Sequence, residues 1–217
     1  MPVHDWTRVA AGIFHDFHFV WIGEIRRVLN GGVLPDGYYA MAEQVAGNLG
    51  LDTAAAEADQ LAQRKNRLVI LHCSDHRIIA MIEVVSPGNK ASRNGIRQFV
   101  RKVAAALSRG YHFLVLDLFP PTRRDPHGIH GVIWEEITGE QYTAPPDKPL
   151  TLASYTGGTA KSAYVEPVAV GDDLIKMPLF LDADFYVPVP LEDAYQAAWA
   201  TVPSYWRTVL ESPATNE

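Results

Sequence analysis

The stretch from Arg77 to Phe119, RIIAMIEVVSPGNKASRNGIRQFVRKVAAALSRGYHFLVLDLF, constrains the fold more than any other part of the chain. Ile78, Ile79, Ile82, Val84 and Val85 form a nearly unbroken apolar run of β-branched type, the pattern of a strand covered on both faces of a sheet. Ser86-Pro87-Gly88-Asn89-Lys90 ends it, because Pro and Gly do not continue a ladder. From Asn94 to Arg109 the apolar residues Ile96, Phe99, Val100, Val103, Ala104 and Leu107 recur at helical spacing, and Gly110 follows in the position that closes a helix. YHFLVLDLF is a second strand. A crossover of this length predicts that the two strands run parallel, right-handed and beside or nearly beside each other.

Glu83 interrupts the first strand. An ionised carboxylate inside a sheet is costly unless a cation, a metal or hydrogen-bond donors meet it. Lys90 opens the polar segment that follows and is expected close to Glu83. Such a pair is the chemistry of a metal-dependent phosphodiester site and equally that of a buried ion pair. Asp117, the acid of the second strand, is expected to cap the strand end or to meet an arginine. Ser86 and Asn89 are turn formers, with the Ser86 hydroxyl holding the backbone.

The remaining segments extend an α/β (α+β) pattern, a mixed central sheet with flanking helices. Ala10 to Leu29 is helical, with Ile13, Phe17, Val20, Ile25, Val28 and Leu29 largely on one face and Gly31-Gly32 as the stop. His15 and His18 lie on this helix at a spacing a metal could use, or else pack as polar edges of the core beside Phe14 and Trp21. Tyr38, Tyr39, Met41 and Val45 suggest a short strand with a helical alternative, and Glu43 sits within it. Thr53 to Lys65 is Ala-rich and charged, a helix or a solvated excursion. Arg67 to Cys73 is a strand that returns through Ser74-Asp75-His76 as a hairpin. His72 and His76 flank Cys73 there.

Beyond Phe119, a Pro-rich link leads to a helix in IHGVIWEEITGEQY, and LTLASYT and SAYVEPVAV are expected to pair as a hairpin. PLFLDADFYVPVPL is expected as an extended edge segment, limited by its prolines. An amphipathic helix from Glu192 to about Ala200 and a short aromatic one through Tyr205 and Trp206 close the chain.

At 217 residues the chain suits one domain, a core over about 10–119 with a C-terminal extension over about 120–217. Its formal charge of −6 supplies no bulk attraction for nucleic acid, so any such contact depends on a local patch. Arg93, Arg97, Arg101, Lys102 and Arg109 make the basic concentration of the sequence. The single Cys73 excludes a disulfide framework, and no apolar run approaches membrane-spanning length. A cytoplasmic, soluble protein is the expectation, with no membrane partner.

IEVVSPGNK, the basic helix carrying Lys102, Gly110 and LVLDLF together resemble the bacterial domain of unknown function 4058. FHDFH, the Tyr-Tyr-x-x-x-x-Glu segment, IHGVIWEEI and YVPVPL occur in the same order, so the resemblance spans nearly the whole chain. More distantly the layout resembles Uma-type endonucleases and the PD-(D/E)XK nuclease superfamily, over Glu43 to Phe119. This resemblance implies a restriction-endonuclease-like core and a magnesium-dependent nuclease or phosphodiesterase. It implies Asp52 and Glu83 as metal-binding acids, Glu43 as an accessory acid, and Lys102 or else Lys90 as the lysine, with Glu83, Lys102 and Lys90 forming the catalytic set. Two carboxylates would hold a hard divalent ion that polarises a phosphoryl oxygen, and the lysine would orient the attacking water. The sequence departs from that pattern at Val85, where a lysine is usual, and at Leu51, where a proline is. A nuclease-like fold without chemistry, acting as a binding module, is the alternative. Its partners would be nucleic acid, another protein or a second copy of the chain.

Overall fold

A computed structural model describes residues 3–42 and 67–213 of the chain. Six strands form one sheet in chain order: β1 (Tyr38–Ala42), β2 (Arg67–His72), β3 (Ile78–Val84), β4 (His112–Asp117), β5 (Leu150–Tyr155) and β6 (Ala163–Val168). Only β3 and β4 pair in parallel, as the crossover predicts, and every other neighbour is antiparallel. The fold is therefore α+β, a mixed sheet flanked by helices.

Alternation along the strands decides what each face buries. Leu68, Ile70, Ile82, Leu114, Leu116 and Leu152 turn toward helix α1 (Ala11–Val28), helix α5 (Leu191–Trp199) and a separate hairpin, β7 (Lys176–Phe180) with β8 (Tyr186–Pro190). Val69, Met81, Phe113, Val115 and Tyr155 turn the other way, toward helix α3 (Arg93–Ser108) and helix α4 (Gly128–Thr138). Between β3 and α3 lies the single turn α2 (Pro87–Lys90). A last helix, α6 (Ser204–Glu211), follows α5. No helix among the described residues is long and apolar enough to cross a membrane.

Three local expectations change. PLFLDADFYVPVPL is a hairpin of its own rather than an edge, closed where the Leu181 and Asp182 amides donate to the Phe185 carbonyl at 2.8 and 3.1 Å. Pro178 stands opposite Pro188, so the residues without an N–H share one register position and spare the bonded pairs of the ladder. SPGNK is more than the turn expected, although the Ser86 hydroxyl holds the backbone as anticipated, accepting from the Asn89 amide at 3.4 Å. Pro87 begins a helical turn, and Ser86 and Asn89 cap it reciprocally, with Asn89 Oδ1 accepting from the Ser86 amide at 2.8 Å. His15 and His18 do not share the core edge: they point roughly 60° apart around the axis, and His18 is buried while His15 is exposed. Tyr38, Tyr39 and Met41 lie in strand β1, and Val45 lies outside the described residues. Helix α1 runs into a wider turn over Leu29–Val33, where Gly32 takes a φ of 120° that a side chain would resist.

Candidate functional site

The charged core residues gather on the α3/α4 face, near the C-terminal ends of the two parallel strands. Glu83 belongs to the parity of Met81 and Val85, so its side chain enters this layer and is 2% exposed. Lys102 reaches down from α3 and donates its Nζ to Glu83 Oε1. Lys102 Nζ lies over the Phe99 ring, 4.8 Å from its centroid, so an aromatic face assists the cation. Arg67 stands directly opposite Glu83 in the β2–β3 register and is buried on the same side. Glu83 Oε2 is buried and has no hydrogen-bond partner among the described residues.

Lys90 does not meet Glu83. Its turn carries it to the end of β4, where Nζ donates to Asp117 Oδ2 at 2.9 Å and to the carbonyls of Phe119 and Pro120 at 2.9 and 3.0 Å. An ammonium has three donors, and those three oxygens take them. Asp125 Oδ2, 3.0 Å away, is held as an ion-pair contact outside hydrogen-bond alignment. Asp125 also accepts from the Thr122 amide at 3.0 Å and from its hydroxyl, which closes the turn after Pro121. Asp117 caps the Phe119 amide at 3.1 Å, as expected, but its cation is a lysine and not an arginine. Burial pushes the Asp117 carboxyl above its usual range, against the pull of Lys90. Beside it on the same face, His130 Nδ1 and the Tyr155 hydroxyl share a 2.6 Å hydrogen bond. Burial lowers the His130 imidazole to about 4 and raises the Tyr155 phenol.

Of the residues expected to carry chemistry, Glu83 and Lys102 converge, and Lys90 is committed to a different pair of acids. Asp52 and Glu43 lie outside the described residues. Among the described residues no group of three or more His, Cys, Asp or Glu is placed to hold a metal, and the charged side chains paired with Glu83 or opposite it in the register, Lys102 and Arg67, are cations. His72 and His76 instead pair locally, with Ser74 Oγ and the Tyr39 hydroxyl, each at 2.8 Å. Two residues of the buried network escaped the sequence reading. Asp125 sits in a Pro-rich link, where only the Thr-x-x-Asp spacing hinted at a capped turn. Arg67 begins a strand whose register, once known, places it beside Glu83.

A different feature lines the outside of the same layer. Arg93, Arg97 and Arg101 project from α3 into a cleft of about 270 Å³ against α4, and Arg124 joins them from the preceding link. Ile96, Val100 and Val132 form its apolar floor, and Glu136 stands on the α4 side.

No protein-family model, curated protein or solved structure matches the chain.

Proposed function

We propose that the chain is a binding module on a nuclease-like α+β scaffold, in which the buried carboxylates serve as structural ion pairs. The observation that carries this reading is Glu83, a carboxylate 2% exposed, bonded to Lys102 and faced by Arg67 across the register. A carboxylate already neutralised has little charge to give a divalent ion, and a sealed one gives substrate no approach. The scaffold part rests on order: a strand with an acid, a crossover helix with a lysine and a parallel strand with an aspartate, as the resemblance to domain 4058 and to PD-(D/E)XK nucleases implies. A bacterial cytoplasmic setting agrees with the lone, exposed Cys73. Calorimetric titration with magnesium and manganese, together with incubation with DNA and RNA, tests the reading. Neither Glu83-dependent metal binding nor cleavage is expected, and cleavage lost in Glu83→Ala would overturn it.

One observation favours a second reading, a magnesium-dependent nuclease or phosphodiesterase. Glu83 Oε2 is buried without a hydrogen-bond partner among the described residues, an oxygen still open to a donor or an ion. Asp52 and Glu43 would join Glu83 in holding magnesium, which supplies phosphoryl polarisation and an acidified water. Lys102, and not the committed Lys90, would then be the lysine of the site. Cleavage that disappears in both Glu83→Ala and Lys102→Met identifies this case.

A further inference from the structure

We infer that the cleft between α3 and α4 binds the backbone of a single-stranded nucleic acid, the arginine row gripping successive phosphates. The inference names a partner for the binding-module reading and rests on a different set of residues from the Glu83 site. Arg93, Arg97 and Arg101 recur every fourth residue on one rigid helix, so their attachment points climb by about 6 Å per step along one line. They are exposed, and none of the three, nor Arg124, forms an ion pair among the described residues. Like charges at this spacing repel, and a cation at the first position of a helix opposes the helix dipole. The row is thus placed against the helix's own stability, and a ligand carrying repeated negative charge is what relieves it.

Three features narrow the chemistry. All four cations are arginines, whose planar forks take phosphate oxygens in pairs and whose faces stack on bases. The floor of Ile96, Val100 and Val132 suits an uncharged surface such as a sugar or base lying between the charges. Glu136, the one acid of the lining, can accept from a base amino group, whereas it would repel a peptide made of carboxylates. A single row in a narrow cleft fits one strand rather than the two backbones of a duplex. The protein's net charge of −6 confines the attraction to this patch.

The test is fluorescence anisotropy of the full chain with a labelled 12-nucleotide single strand, repeated with a duplex, a mononucleotide and an oligoglutamate. Binding of the single strand should weaken with salt, with a log–log slope of about −2 to −3 for three or four phosphates. Arg97→Ala with Arg101→Ala should weaken it about tenfold or more and make the slope shallower by about 0.7 for each lost contact. Circular dichroism melting should show the variant as stable as the parent or slightly more so, since like-charge repulsion is removed. The inference fails if the double variant binds as the parent does, if oligoglutamate binds as tightly as the strand, or if the mononucleotide or duplex equals it. The metal and cleavage assays on Glu83→Ala do not touch this row, so either proposal can fall without the other.

Discussion

The two faces of the sheet bury charge differently. Under α1, α5 and the β7–β8 hairpin, the buried polar side chains among the described residues include His4, His18, His112 and Ser154, and no carboxylate, lysine or arginine. His4, for example, stacks on Trp199 at 3.6 Å and shares a 3.0 Å hydrogen bond with the Tyr195 hydroxyl. Burial lowers its imidazole to about 4, so it stays neutral. Under α3 and α4 the layer instead holds Arg67, Glu83, Lys90, Asp117 and Asp125. The contrast is visible between neighbours on one strand, for Leu116 points to the first face and Asp117 to the second. One face is held by area, shape and neutral hydrogen bonds, and the other by area together with paired charges. Paired charges also fix loops that apolar contacts would leave free. Lys90 ties α2, the end of β4 and the turn at Asp125 into one unit.

Breaking each face separately sharpens this comparison. Lys90→Met has the largest expected effect: it strands two buried carboxylates and should cost about 3–5 kcal/mol in urea denaturation, enough to leave a marginal protein partly unfolded. Leu116→Ala, on the apolar face one residue from Asp117, should cost about 2–5 kcal/mol, set by the cavity it leaves. If the Lys90 variant proves as stable as the parent, the charged face is ordinary packing and the contrast is lost.

Acidity offers a gentler probe. His4 and His130, one for each face, have folded values of about 4, below the ordinary histidine value of 6.5. The unfolded chain therefore binds protons first as pH falls, and stability is lost from about pH 6.5 downward, by roughly 2 kcal/mol for each histidine at pH 5. His4→Gln and His130→Gln should each flatten the decline of the denaturation midpoint between pH 7 and pH 5. Asp117 acts in the opposite sense. A raised folded carboxyl keeps its proton to higher pH than the unfolded chain does, so its share of stability shrinks as pH rises. The smallest effect is expected for Glu83→Gln, about 1–2 kcal/mol, because Lys102 is 19% exposed and can turn its ammonium to water. A much larger loss there would make Glu83 the anchor of the charged face in place of Lys90.

The helices and strands were legible because their signals are local. Nearly continuous apolar runs marked β2, β3 and β4, helical spacing marked α3, and the crossover rule placed β3 parallel beside β4. The hairpin of β7 and β8 was missed because its prolines resemble an edge until they are seen to face each other. For the buried acids, the sequence established that Glu83 must meet a cation, a metal or hydrogen-bond donors, since the cost of an unpaired charge in a sheet does not depend on the fold, and it left Asp117 as a strand-end cap or an arginine's partner. It could not assign the cations. Lys90 is near Glu83 in sequence, yet the helical turn that Ser86 caps swings it to Asp117, while Lys102, one helix later, closes on Glu83. Which charge meets which is set by the direction in which each backbone element points its side chain, and only packing α3 onto the sheet settles that direction.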